Sequence, residues 1–257
     1  MKIGVLVKQV PVSDSSLRVN PDQLWVEEGS LNFEMNENDS YALEEALQIK
    51  EQSGEGEVVA ISMGPADRTP KIIREALSKG ADRGIHIVES SSHESDPYIL
   101  ATLFNEAVKD EGFDLVLSGL QSDDMSTGQT GLILGELLGM STATMVVETE
   151  IQGENLKVKR ELESGWFQWV TLSLPACVTI QSGINQPRYA SLKGIMSAKR
   201  KEIRELQKDE LMTGDSLQSL SKMYVQHKDK RTEMIEGDTQ EIVSRLVDVF
   251  KSEAKVL

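Results

Sequence analysis

Apolar positions along the first 145 residues follow two alternating rhythms. The runs Ile3–Val7 (IGVLV), 58–62 (VVAIS), 84–88 (GIHIV) and 113–119 (FDLVLSG) are short, continuous and rich in β-branched residues, as buried parallel strands are. Between them the apolar residues recur at helical spacing. Ala42, Leu43, Ala46, Leu47 and Ile49 predict one helix, with Asn38 or Asp39 as its N-cap. Thr69 as N-cap with Pro70 at the first helical position starts a second that ends at Gly80, and Asp96 with Pro97 repeats the pattern for a third that ends at Gly112. A fourth helical pattern, TGQTGLILGELLG, follows the fourth strand. Strand–helix alternation of this kind predicts an α/β, doubly wound, mostly parallel sheet of Rossmann-like type with right-handed crossovers.

Beyond residue 145 the period changes. The segment from Thr144 to Leu162 reads as two strands around a turn at 153–155, and 166–182 reads as two more across Pro175, together an antiparallel extension of the sheet. The stretch LPACVTIQSGINQPRYASLKGIMSAKRK (174–201) then runs from an apolar strand through a Gly/Asn/Pro turn into a short basic helix. Ile195 and Met196 fall on one side of that helix and Lys199, Arg200 and Lys201 on the other. Residues 202–237 are polar and weakly periodic, an extended arm. The C-terminal segment carries Ile242, Val243, Leu246, Val249 and Phe250 on one helical face, capped by Asp238 or Thr239. The expected organisation is an α/β nucleotide-binding domain over 1–200 and a C-terminal arm and helix over 201–257. The arm's apolar stripe either wraps a partner subunit or packs on its own domain.

Composition narrows the function. The formal net charge is −15 among 257 residues, which repels nucleic acid overall. No apolar run reaches the roughly 18 residues of a spanning helix, and the first residues read as a buried strand rather than a secretory signal. The lone Cys177 lies in an apolar strand, so no disulfide framework exists and a reducing, cytoplasmic compartment is expected. His86, His93 and His227 are scattered without metal-ligand spacing. No nucleophile–base pair stands out.

Ligands of open α/β sheets sit at the carboxyl ends of the strands. The loop after the first strand lacks G-x-G-x-x-G, and no Walker lysine is present. The loop after the fourth strand, SGLQSDDMSTGQTG (118–131), is the richest in polar side chains and opens a helix. Helix N-termini attract phosphate, so this loop is either a phosphate seat or an ordinary capped turn. Its two Asp residues either hold ribose hydroxyls or cap the helix.

In order along the chain, VLVKQV, MNENDSYALEEAL, SMGPA, KGADRGIHI, GLQSDD…TGQTG, KRELESG and above all 174–201 resemble the β (small) subunit of electron-transferring flavoprotein over essentially the whole length. KRELESG, INQPRYASLKGI and MIEG are similar to the subfamily from methylotrophic bacteria. The resemblance implies an electron carrier rather than an enzyme. It would pair with an α subunit that holds most of the redox-active FAD, and would bury a structural AMP of its own. Its donors would be flavin-dependent dehydrogenases and its acceptor a membrane quinone oxidoreductase. The alternative within the family is a bifurcating form that binds a second FAD in place of AMP and oxidises NADH.

By position, the resemblance implies AMP contacts at Leu6, Asn36, Glu37, Asn38, Asp39, Met63, Gln121, Ser122, Asp123, Asp124, Met125, Ser126, Thr127, Gly128, Gln129, Thr130 and Gly131. It implies docking of the dehydrogenase on Leu192, with electrostatic guidance from Lys199 and Arg200. It also implies that Glu161 biases the position of the partner's flavin domain. In this chain DMSTG stands where animal relatives carry a longer Asp run, and the residues near Val12 and Ser13 are small where some relatives place a Tyr against the flavin.

Overall fold

A computed structural model describes residues 1–89, 96–211, 214–226 and 232–256. His93 and His227 lie outside the described residues. Two compact units result, Met1–Met223 and Tyr224–Leu257.

The first unit is built on a nine-stranded sheet. Its strands, in chain order with the helices, are β1 (Lys2–Leu6), α1 (Glu37–Ser53), β4 (Glu57–Gly64), α2 (Thr69–Lys79), β5 (Arg83–Val88), α3 (Pro97–Val108), β6 (Leu115–Gly119) and α4 (Thr130–Leu137). There follow β7 (Ser141–Gln152), β8 (Asn155–Glu161), β9 (Phe167–Ser173), β10 (Ala176–Ile180), α5 (Leu192–Ala198), β11 (Ile203–Gln207) and α6 (Lys208–Leu211). A small antiparallel pair, β2 (Gln9–Pro11) with β3 (Phe33–Met35), sits between β1 and α1. The sheet order is β11-β5-β4-β1-β6-β10-β7-β8-β9, parallel from β11 to β7 and antiparallel from β7 to β9.

Helices cover both faces, as the alternation predicts. On one side Leu43, Leu47, Ile73 and Leu77 of α1 and α2 pack on Ile3, Val5, Leu115 and Val178. On the other, Ile99, Leu103 and Leu134 of α3 and α4 pack on Ile61, Ile85 and Val116. Strand interiors are therefore buried on both faces, which is why apolar residues dominate their runs.

Five local expectations are corrected. β10 does not extend the antiparallel part; it lies in the parallel core between β6 and β7, and all five of its residues are buried. The start of the polar arm is an edge strand: Ile203 to Gln207 pair in parallel with β5, with Ile203 packing on the core of one sheet face and Leu206 on the core of the other. Neither Asn38 nor Asp39 caps α1. Asn36 holds the N-cap position without capping the helix through its side chain, and Asp39 is used across the sheet. Thr69 is the first helical residue of α2 rather than its cap, and α3 ends at Val108, ahead of Gly112. Asp96 caps α3 as expected, accepting from Tyr98 N at 2.9 Å.

In the second unit, α7 (Thr239–Asp248) opens with a capping box: the Asp238 carboxylate accepts from Gln240 N and Glu241 N, and Glu241 accepts in return from Asp238 N. No described helix is long and apolar enough to cross a membrane.

Candidate functional site

A cleft of about 260 Å³ opens at the carboxyl ends of β1, β4 and β6. Of the residues expected at the site, Leu6, Asp39, Met63, 121–125 and 127–131 line it; Asn36, Glu37, Asn38 and Ser126 do not. Asn36 acts behind the wall. Fully buried, it donates from Nδ2 to Gln121 O (3.0 Å) and accepts on Oδ1 from Asp123 N (3.0 Å), fastening the start of the fourth loop to the start of α1. Asn38 Nδ2 reaches the same carbonyl at 3.4 Å, and Glu37 N donates to Asp123 Oδ2 at 3.5 Å. Ser126 closes the loop on itself, its amide bonding Ser122 O at 2.8 Å.

Asp39 ties two strand ends together. Its carboxylate accepts from Lys8 N (2.7 Å), just after β1, and from Gly119 N (2.9 Å), the last residue of β6. Burial pushes this carboxyl up to about 7, against the downward pull of those donors, Asn36 and the Lys8 charge. Desolvation outweighs the hydrogen bonds because the group is wholly enclosed.

The first turn of α4 faces the cleft uncapped. Gln129 holds the N-cap position and bonds no backbone amide through its side chain. Below that turn lies Ser118, whose buried Oγ has no hydrogen-bond partner among the described residues. Gly131 packs so closely over it that a Cβ there would stand 2.4 Å from Ser118 Oγ. Helix-terminal amides and a lysine at the rim are donors able to receive an anion, with the buried Ser118 hydroxyl beneath them. The Lys8 ammonium is bonded to Asp124 Oδ1 (2.7 Å) and Ser122 Oγ (3.3 Å).

The opposite wall is absent from the sequence reading. Arg68 stacks 4.2 Å over the Phe33 ring, donates to both Glu28 oxygens (3.0 Å each) and bonds Gln9 Oε1 (2.9 Å), and Trp25 Nε1 donates to the same Glu28 (2.9 Å). Trp25, Val26, Leu17 and Phe33 give this wall an apolar character. They come from residues 12–35, which lack any periodicity, so the stacking of a distant Arg on Phe33, with Trp25 on the same Glu28, has no local signal.

Among the described residues no group of three His, Cys, Asp or Glu is arranged to hold a metal. His86 is buried away from the cleft, its Nε2 3.0 Å from Gly64 O, and burial holds its pKa below the ordinary value. The Cys177 thiol is pushed up to about 12 by burial and donates to Gly131 O at 3.2 Å, a core thiol.

The stretch after β10 forms a second feature. Arg188 is gripped by α1: Nε and Nη2 donate to Glu44 (2.8 and 3.0 Å), and Nη1 and Nη2 donate to Glu51 (2.5 and 3.0 Å). Asn185 Nδ2 bonds Tyr41 O (3.1 Å) and Glu45 Oε2 (2.9 Å). Ser191 caps α5 by accepting from Gly194 N at 3.0 Å. Gly194 lies against α2 so closely that a Cβ would meet Ser78 O at 2.1 Å. Lys201 is not part of a free basic face; its Nζ donates to Leu77 O (3.1 Å) and Ala81 O (2.5 Å) at the end of α2. With the backbone held on both sides, Leu192 (82% exposed), Met196 (73%) and Tyr189 (97%) project outward, beside exposed Lys199 and Arg200. Glu161, the last residue of β8, accepts from Gln181 Nε2 at 3.3 Å.

Residues 23–211 match the family model for the electron transfer flavoprotein domain. The chain is 36% identical to the electron transfer flavoprotein subunit beta of Methylophilus methylotrophus, over 97% of this chain and 98% of that protein. It is 32% identical to the subunit beta of Bacillus subtilis over the full length of both. With the human subunit beta the identity is 34%, over 97% of this chain and 98% of that protein.

Proposed function

The chain belongs to the electron transfer flavoprotein family as a β subunit, and on that premise we propose that it is the AMP-holding half of a cytoplasmic heterodimeric electron carrier. The partner α subunit holds most of an FAD, which supplies the redox chemistry when bound. Electrons arrive from flavin-dependent dehydrogenases and leave to a membrane quinone oxidoreductase.

The observation that carries the AMP assignment is the cleft at the ends of β1, β4 and β6, with the uncapped first turn of α4 and the unpartnered Ser118 hydroxyl at its base. These fit a nucleoside monophosphate. Residues 129–131 present amides to the phosphate, Asp123 and Asp124 face the ribose, and Leu6 and Met63 supply apolar contact for the base. The nucleotide does no redox work; it joins the ends of three strands to the first turn of α4 and so rigidifies this side of the subunit. The exposed Leu192, on a backbone clamped to α1 and α2, is the anchor for the dehydrogenase. Lys199 and Arg200 guide the encounter, and Glu161 positions the partner's flavin domain.

The test is the nucleotide content of the purified heterodimer. Denaturation is expected to release one AMP and one FAD. Release of two FAD and no AMP would replace this reading with the bifurcating one, in which NADH is oxidised.

A further inference from the structure

We infer that Lys8, which lies outside the set of residues the family resemblance implies, is the cation that binds the nucleotide's phosphate, and that it leaves its ion pair with Asp124 to do so. This inference rests on the nucleotide reading above.

Charge in the cleft is the starting point. Its lining carries Glu28, Glu89, Asp123 and Asp124 against two cations, so a phosphate entering it meets a field of its own sign. Among the described lining residues the cations are Lys8 and Arg68. Arg68 is committed: both Glu28 oxygens, Gln9 Oε1 and the Phe33 ring hold its guanidinium in place. Lys8 is differently placed. Among the described residues it has one ion pair, to Asp124 at 2.7 Å, and a longer bond to Ser122 Oγ, and its side chain reaches solvent at the rim. An ammonium on a flexible four-carbon stem has three donors and can turn without moving the backbone. That backbone is fixed, because Lys8 N is held by Asp39.

Two further observations point to an anion as the missing partner. Ser118 Oγ is buried without a partner under the first turn of α4, a position where a hydroxyl is costly unless something accepts from it. The turn itself has no side-chain cap. Asp124, meanwhile, keeps a bond when Lys8 departs: its Oδ1 also accepts from Met125 N at 2.8 Å. Asp124 holds the counter-charge position beside Lys8 that a phosphate would take.

The experiment compares AMP with adenosine by equilibrium dialysis on nucleotide-stripped heterodimer. Adenosine keeps the base and ribose and lacks the phosphate, so a structural defect lowers both affinities and a lost phosphate contact lowers one. Lys8→Gln is expected to weaken AMP by roughly 10–100-fold, the range of a charge-assisted contact, and to leave adenosine unchanged. Asp124→Asn, which frees Lys8, is expected to raise the preference for AMP over adenosine, and this ratio cancels any effect on ribose contacts. Equal losses of both ligands in Lys8→Gln, or an unaltered AMP affinity, overturn the inference. So does an unchanged preference in Asp124→Asn, the measurement that decides if Lys8→Gln does not assemble. A wild-type heterodimer that binds neither ligand refutes the nucleotide reading itself, an outcome distinct from all of these.

Discussion

Replacing Arg188 with Met removes the clamp between the docking turn and α1 while keeping the length and apolar stem of the side chain. The guanidinium makes four bonds, two to each of Glu44 and Glu51. The Glu44 side chain is 5% exposed and that of Arg188 30%. Breaking a fully buried pair costs about 3–5 kcal/mol, and an exposed one contributes about 0–1. Glu44 retains Gln48 Nε2 and Arg188 N as donors, and Glu51 is largely in water. An intermediate cost of about 2 kcal/mol follows, or a fall in melting temperature of roughly 4–8 °C for a chain of this size. The pH dependence is diagnostic. Burial works to raise the Glu44 carboxyl, but the Arg188 guanidinium overcomes it and holds the group below its ordinary 4.5. A depressed carboxylate contributes stability above its unfolded value and loses it as pH falls through the folded one. The difference between wild type and Arg188→Met, read by thermal melts of the heterodimer, is therefore expected to be full at pH 7 and to narrow below about pH 4.5. A difference of the same size at pH 7 and pH 4, or none at either, would refute the ion-pair account of this turn.

Leu192→Ala is expected to leave the melting temperature unchanged, since the side chain is exposed. It should also weaken dehydrogenase-coupled electron transfer at low carrier concentration by about one to two decades, the worth of burying a Leu in a partner pocket; early unfolding or normal transfer would count against it as the anchor. Asp39, raised from 3.8 to about 7, binds its proton more tightly folded than unfolded. Its contribution is complete below pH 3.8 and is lost as pH rises to about 7, so Asp39→Asn should abolish that part of the slope in urea melts between pH 5 and pH 8. Gly194→Ala forces a methyl to 2.1 Å from Ser78 O, and the strain of overpacking, about 1–3 kcal/mol, should appear as a lower melting temperature together with weaker docking.

Much of the architecture is legible in local pattern. Ile3–Val7, 58–62 and 84–88 are dominated by apolar residues on both faces because both faces of their strands are covered, and the caps Asp96 and Asp238 bond the amides their positions require. The fourth loop is recognisable by composition and by the helix it opens. Strand order, in contrast, is decided by long-range pairing. An apolar run such as Ala176–Ile180 is equally suited to the middle of a sheet or to a hairpin, and only its two parallel neighbours place it between β6 and β7. The same limit governs charge. Asp39 has the position of a helix cap, yet its acceptors are spent on amides 31 and 80 residues away. Arg188 looks like one more basic residue before a basic helix until α1, 144 residues earlier, supplies its carboxylates. Periodicity records which face of an element leaves water; which partner meets that face, and which counter-charge meets a buried ion, depends on the fold that brings distant segments into contact.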